Sequence, residues 1–395
     1  MQLRDTPEEA AFRAELREWL AENVPKLPPE PDHTDWPGRR AYESQWQRML
    51  FDAGYAGINW PVEGGGKGAT PGEHLIYLEE ASAAKAPEVT VGFVGQMHAG
   101  PTIIAEGTPE QKAHHLRGIL DGSHVWCQGF SEPEAGSDLA SLRTKAVRDG
   151  DHYVVTGQKI WTSNATVADY CELLVRTDPD APKHKGITWL IMPMDLPGIE
   201  VRPLITAHGT AEFAELFLDE VRIPVANRVG EENDGWRVAN VTLSFERGTG
   251  FVGEMLDTTN LMRDLVQIAK VTPKGSGTAW DDPGIRRELG TIAAELDALW
   301  AYTKRNVSAG AKGGLPMGSG SAFKLSYAGV VARLGDLALR ILDRASLAMD
   351  DIGGQATGAQ VHGRLHAFAV SLGGGTSQIQ QNIIAERVLG LPRER

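Results

Sequence analysis

Hydrophobic positions recur at helical spacing near both ends of the chain and at strand spacing between them. In "TPEEAAFRAELREWLAENV" Phe12, Leu16, Trp19 and Leu20 share one face behind a Thr-Pro-Glu-Glu opening, which predicts an amphipathic helix. "PGEHLIYLEEASAA" repeats the pattern, and "GTPEQKAHHLRGILDG" opens on Thr-Pro-Glu and stops at glycine. From residue 123 the texture changes. "AVRDGDHYVVTG" reads as two strands around an Asp-Gly turn, and "CELLVRT", "GITWLIMP" and "AELFLDEVRIP" are short β-rich runs. After about residue 234 helices return: Ile285, Leu289, Ile292, Ala293, Leu296, Leu299 and Trp300 trace one stripe, and "GVVARLGDLALRILDRAS" supplies another. "TPKGSGTAWDDPG" (272–284) reads as a polar loop between helices. Helices, then strands, then helices, with no alternating βα units, predict an α+β chain and argue against Rossmann and P-loop architectures. The expected domains are 1–122, 123–232 and 233–395.

Composition narrows the class. A chain of 395 residues is long enough for two or three domains, and 42% apolar with 23% charged residues is ordinary for a globular protein. Its 39 basic against 52 acidic residues give a net charge of −13, which argues against nucleic acid or an anionic membrane as partner. No apolar run approaches the roughly 18 residues of a membrane span. The charged, helical N-terminus does not read as a secretory signal. Two cysteines, Cys127 and Cys171, fit a reducing cytoplasm, so a cytoplasmic location is expected.

Two motifs carry little chemistry. "EGGGKGAT" (63–70) has a lysine followed by glycine where a phosphate loop needs Ser or Thr, and no strong strand precedes it. His362 and His366 have the i, i+4 spacing of a zinc pair, but no glutamate stands between them and no third ligand lies nearby, so no metal is expected. "GFSEPEAGSDLASLRT" (129–144) differs in kind. Gly, Pro and small hydroxyl residues there can wrap a flat ligand with backbone N–H groups and the hydroxyls of Ser131 and Ser137. "GQKIWTSNA" then offers an aromatic face, Trp161, beside Thr162 and Ser163.

"SEPEAGSD", "GQKIWTSNA", "FLDEVRIP" and the terminal "GTSQIQ", in this order and spacing, resemble the acyl-CoA dehydrogenase family over nearly the whole chain. The resemblance implies an N-terminal helical domain, a central β-barrel and a C-terminal four-helix bundle. It implies FAD and α,β-dehydrogenation of an acyl-CoA thioester. By position the flavin would lie against Gln128, Phe130, Ser131, Trp161, Thr162 and Ser163, with Gly375, Thr376 and Gln378 completing its contacts. Ser137 would face the CoA arm, and Ser244, Arg247 and Gly374 the substrate. The expected electron acceptor is an electron-transfer flavoprotein.

Removing a proton α to a thioester needs a base and an oxyanion site. Many family members carry a glutamate immediately before the Gly-Thr pair of the C-terminal turn. In "SLGGGTSQIQ" that place is Gly374, which has no side chain to accept a proton. The resemblance to relatives such as isovaleryl-CoA and long-chain dehydrogenases implies that Glu246, in the predicted helix "NVTLSFERGTG", is the base. Those relatives accept branched, long or bulky chains, so a branched or bulky acyl group, such as a steroid side chain, is expected. Ser377 with Gln380 fits a capping box for the helix after the turn.

Two further departures concern the FAD clamps that family members take from a neighbouring subunit. The arginine clamp (Arg-Thr-Phe-Gly) is replaced by "AKVTPKGSGTAWDDPG", and the glutamine clamp by "AMDDIGGQATG" with Asp350 in its place. The expected assembly is therefore a hetero-oligomer, resembling subunits of steroid side-chain dehydrogenases, with a second chain supplying the clamps. Lys270, Lys274 or Arg286 are the alternative cations in a homo-oligomer. The competing functions are a non-catalytic partner subunit of the same fold and an enzyme for a non-CoA substrate, such as a nitroalkane oxidase.

Overall fold

The computed structural model describes residues 5–249, 251–310 and 318–392, the side chains of 244–249 excepted. The chain begins with helices α1 (Pro7–Asn23), α2 (Trp36–Asp52), α3 (Pro71–Ala83), α4 (Gly100–Glu106) and α5 (Pro109–Leu120). Strands follow: β1 (Trp126–Gly129), β2 (Lys145–Asp149), β3 (His152–Ser163), β4 (Tyr170–Arg176), β5 (Ile187–Pro193), β6 (Ile199–Leu204), β7 (Phe213–Pro224) and β8 (Arg228–Val229). Helices α6 (Gly235–Thr249), α7 (Val252–Val271), α8 (Pro283–Gly310), α9 (Ser319–Leu342), α10 (Thr357–Leu372) and α11 (Ser377–Ile383) complete it, with a small hairpin of β9 (Pro273–Lys274) and β10 (Gly277–Thr278) between α7 and α8.

Two compact units result, Ala21–Thr70 with Lys85–Glu246, and Met1–Leu20 with Pro71–Ala84 and Arg247–Arg395. In the first, the strands pair in the order β6-β7-β3-β2-β4-β5-β8, with β1 parallel to β4. The Asp-Gly turn is where the sequence places it: Asp149 pairs with His152 across Gly150, whose φ of 61° suits glycine. Alternate residues face one apolar core, including Tyr153, Val155, Leu173, Leu190, Leu216 and Ile223, each at 0% exposure. The N-terminal helices of this unit begin where capping chemistry allows. Thr108 Oγ1 accepts the Gln111 N–H while Gln111 Oε1 accepts the Thr108 N–H, a reciprocal box that starts α5.

In the second unit α7, α8, α9 and α10 pack around a shared core. The predicted stripe of α8 is the buried one: Ile285, Leu289, Ile292, Leu296 and Leu299 are inside, with Ala293 and Trp300 packed at the margin. The segment 272–284, expected as a plain loop, is instead the β9–β10 hairpin followed by a helical turn. Ala279 is fully buried there, and its N–H bonds the Thr272 carbonyl. The Thr278–Asp281 bonds and the Lys274–Asp282 pair hold the same segment. "EGGGKGAT" forms a turn, with Gly65 at φ 84° and Gly68 at φ 63°. Among the described residues no helix is long and apolar enough to cross a membrane.

Candidate functional site

A buried ion pair holds together the two β-domain segments singled out by the sequence. Lys159 on β3 is 0% exposed, and its ammonium reaches Glu132 Oε1 at 2.9 Å and the Phe130 carbonyl at 3.1 Å. The same carboxylate accepts the Thr144 N–H (2.8 Å) and the Arg143 N–H (2.6 Å), pinning both ends of the 132–144 loop to one point. Burial alone would raise the Glu132 pKa. The Lys159 charge and these donors overcome it and leave the carboxyl below its ordinary value. Burial also lowers the Lys159 pKa, against the pull of Glu132, and a buried charge with this many partners is tolerated where a lone one is not.

That anchor sits immediately before a bulge. Lys159 pairs with Leu216 and Thr162 with Ala214, so β3 advances three residues while β7 advances two. The Ile160 N–H bonds the Ser131 carbonyl at 3.0 Å, docking the loop on the strand. Trp161 takes up the irregularity with φ 59°, a left-handed conformation that a bulky residue rarely adopts. Its ring is 58% exposed and supported edge-on by Phe213 at 5.8 Å. Thr162 turns inward to 0% exposure, and its hydroxyl has no partner among the described residues. Ser131 and Ser163 are half-buried beside these elements. A strained, outward-facing tryptophan beside the half-buried hydroxyl residues Ser131 and Ser163 fits a planar ligand that stacks and hydrogen-bonds at its edge.

The remaining predicted residues of this unit occupy different settings. Phe130 is 3% exposed, so its side chain is core and its carbonyl is committed to Lys159. Gln128 is half-buried and donates to Glu172 Oε1 at 2.8 Å, with His98 Nδ1 at 3.0 Å. His98 lies in a π-helical turn, Gly95–Ala99, a distortion common at functional sites. Ser137 is exposed in the loop.

Helix α6 carries the proposed base. A Cβ on Gly235 would stand 2.6 Å from the Thr188 backbone, so only glycine lets the helix begin there. Thr242 Oγ1 meets Thr102 Oγ1 at 2.8 Å in a fully buried contact, and Arg237 bonds both oxygens of Glu106. Glu246 lies on the anchored helix. The side chains of Glu246, Ser244 and Arg247 lie outside the described residues.

In the other unit the turn after α10 holds Gly374 at φ 60° and Gly375 at φ 95°. Thr376, not Ser377, caps α11: its Oγ1 accepts the Ile379 N–H at 3.2 Å. The expected capping box is thus displaced by one residue. With Ile379 at the third helical position no reciprocal side-chain bond forms, and Gln380 instead donates to the Gly374 and Gly375 carbonyls at 3.0 and 3.2 Å. Gln378 is exposed. The cations near the lost arginine clamp have local work. Lys274 pairs with Asp282 at 2.8 Å, Arg286 donates to the Trp280 carbonyl at 2.6 Å, and Lys270 lies 5.6 Å over the Trp280 ring. His366 bonds Glu254 at 2.9 Å, and no group of three or more metal-binding side chains occurs among the described residues. Sequence reading missed Lys159, Glu132 and their bonds. Their only trace is a lysine within the predicted β-run "GQKIWTS" and an acid in the small-residue loop.

Comparison with known proteins agrees along the whole length. Residues 6–123, 127–221 and 233–389 match the N-terminal, middle and C-terminal domains of acyl-CoA dehydrogenases, respectively. The chain is 40% identical over 389 residues to acyl-CoA dehydrogenase IpdE1 of Mycobacterium tuberculosis, covering 97% of this chain and 98% of that protein. Among solved structures it is similar to the ChsE4-ChsE5 complex from Mycobacterium tuberculosis (TM-score 0.84, 34% identity, 100% of both chains). It is similar also to the Tcur3481-Tcur3483 steroid ACAD (TM-score 0.84, 32% identity, 100% of both chains). This chain belongs to the acyl-CoA dehydrogenase family, flavoprotein oxidoreductases acting on CH–CH bonds.

Proposed function

We propose that the chain catalyses FAD-dependent α,β-dehydrogenation of a branched or bulky acyl-CoA, with Glu246 as the base. The observation that carries the flavin assignment is the strained, exposed Trp161 beside the half-buried Ser131 and Ser163. Ser131 and Ser163 would add hydroxyls, Gln128 its amide, Phe130 its backbone, and Gly375, Thr376 and Gln378 the contacts of the C-terminal turn. When bound, FAD supplies the acceptor for the β-hydrogen and its electron pair. Glu246 takes the α-proton, and the carbon–carbon double bond forms as both hydrogens leave. Gly374 would present its N–H to the thioester oxygen, and Ser137, Ser244 and Arg247 would bind the substrate. The domain limits 1–122, 123–232 and 233–395 remain our division of these tasks.

The substrate class rests on the absence of a side chain at Gly374, on Glu246 in α6, and on the similarity to proteins named as a steroid ACAD. Hetero-oligomerisation is supported by the departures at both clamp positions and by the similarity to the ChsE4-ChsE5 complex. On α10, Phe368 and Leu372 are 55% and 64% exposed one turn apart, as expected of a surface that meets another chain. An electron-transfer flavoprotein would reoxidise the cofactor. The test is turnover, with the chain assembled with its partner, against a panel of short, long, branched and steroidal CoA thioesters. Selective use of branched or steroidal members supports the proposal. Preference for short straight chains overturns the substrate class, and no turnover by a flavin-loaded assembly overturns the activity.

A further inference from the structure

One buried lysine has no part in the chemistry above. Lys324, in the first half of α9, is 4% exposed, and its ammonium lies 5.4 Å over the Phe251 ring. It donates to the carbonyls of Gly373 and of Gly375, the latter at 2.6 Å. Enclosing an ammonium costs several kcal/mol unless its donors are met. Here the carbonyls at the negative end of α10 help to meet them. Gln380 completes the set by donating to the Gly374 and Gly375 carbonyls. The carbonyls of three consecutive glycines are thus gripped by two side chains.

The consequence follows from peptide geometry. In a trans peptide the C=O of one residue and the N–H of the next point in opposite directions. Gripping the carbonyls of 373, 374 and 375 turns the N–H groups of Gly374, Gly375 and Thr376 away from Lys324 and Gln380. None of those three N–H groups bonds an acceptor among the described residues. Unbonded backbone N–H groups facing one side of a turn can meet an oxygen on which negative charge develops. Glycine is required for it: Gly374 and Gly375 are left-handed, and a Cβ on Gly375 would stand 2.9 Å from Gln380 Nε2.

We propose that Lys324 is a positioning residue for the dehydrogenation, fixing this turn so that its N–H groups meet the thioester oxygen as charge develops on it. The inference rests on the function proposed above. It adds a second task at a turn that has no base of its own: Glu246 removes the proton, and Lys324 holds the donors that stabilise what is left.

The test compares Lys324→Met, which keeps length without charge, and Lys324→Arg, which keeps the charge, in the flavin-loaded assembly. The panel's best saturated CoA thioester is the probe. Removing an oxyanion donor costs about 10²–10³-fold, and an indirect effect on orientation should be smaller. In Lys324→Met we expect kcat to fall roughly 10–100-fold with KM barely moved. Exchange of the substrate α-hydrogens with D2O, read by mass spectrometry, should slow by the same factor. Lys324→Arg should recover much of both, and FAD content should stay that of the parent. If Lys324→Met does not fold, Lys324→Gln, which keeps a donor but no charge, should give the same loss in milder form. Parental α-exchange and kcat in a folded Met or Gln variant would overturn the role of Lys324 while leaving the dehydrogenase reading intact. A parent assembly inactive on every thioester would take both down.

Discussion

Glu246 is the residue on which the proposed reaction turns, because Gly374 has no side chain to substitute for it. Replacing it with glutamine keeps the shape and removes the proton acceptor. We expect Glu246→Gln to retain FAD and lose about 10²–10⁴-fold in turnover. Near-parental rates would place the base elsewhere. Gly374→Glu should bring no gain, since two carboxylates serving one site shift each other's pKa and position 374 is left-handed. Lys159 makes a different kind of prediction. Lys159→Met strands Glu132 without its cation, which should cost about 3–5 kcal/mol in denaturant unfolding and weaken FAD retention. A melting curve like the parent's would show that the pair is dispensable. Trp161, Ser131 and Thr162 were legible as types, an aromatic face with hydroxyls. The bulge that exposes one and buries another was not, because it depends on pairing with β7.

His115 carries the pH dependence that the structure makes most explicit. Burial, with the His114 and His124 rings beside it, lowers its pKa from 6.5 to about 3. Between those values the unfolded chain binds a proton that the folded one refuses, so this contribution is intact above 6.5 and is lost as pH falls toward 3. His115→Phe keeps ring contacts with Trp126 and Tyr170 and removes the titration. Its melting temperature should fall less than the parent's between about pH 7 and pH 4. Parallel slopes would dismiss the assignment.

Elements were legible where local chemistry and long periodicity agree. The Thr-Pro-Glu-Gln start of α5 is such a case, and Thr108→Ala should cost about 1 kcal/mol in thermal or denaturant unfolding. No loss there would mean that tertiary contacts alone hold the helix start. The stripe of α8 was equally readable, because five of its residues point to one core. Short elements were not. β9 and β10 have two residues each, too few to show alternation. The start of α11 was misplaced by one residue, since Thr376 and Ser377 are chemically equivalent caps until backbone geometry chooses. Lys324 in "SAFKLSYAGVV" reads as one polar residue on a helix. Only the placement of α9 against the turn gives it a task.

Across the whole molecule, the chain alone should form an incomplete flavin site. The Arg-Thr-Phe-Gly clamp is replaced by "AKVTPKGSGTAWDDPG", so a homo-oligomer would lack that arginine at the pyrophosphate, where charge-assisted bonds matter most. Purified alone, the chain should hold less than one FAD per subunit, and co-expression with a clamp-bearing family member should raise flavin retention. Full occupancy in an active homo-oligomer would end the hetero-oligomer proposal. The central claim, that this chain oxidises an acyl-CoA through flavin with Glu246 as base, is tested most directly by one anaerobic mixing experiment. The flavin-loaded assembly and its Glu246→Gln variant are each mixed with the panel's best CoA thioester. The account predicts rapid bleaching of the visible flavin band in the parent and slow or absent bleaching in the variant. Equal bleaching in both, or none in either, would contradict it.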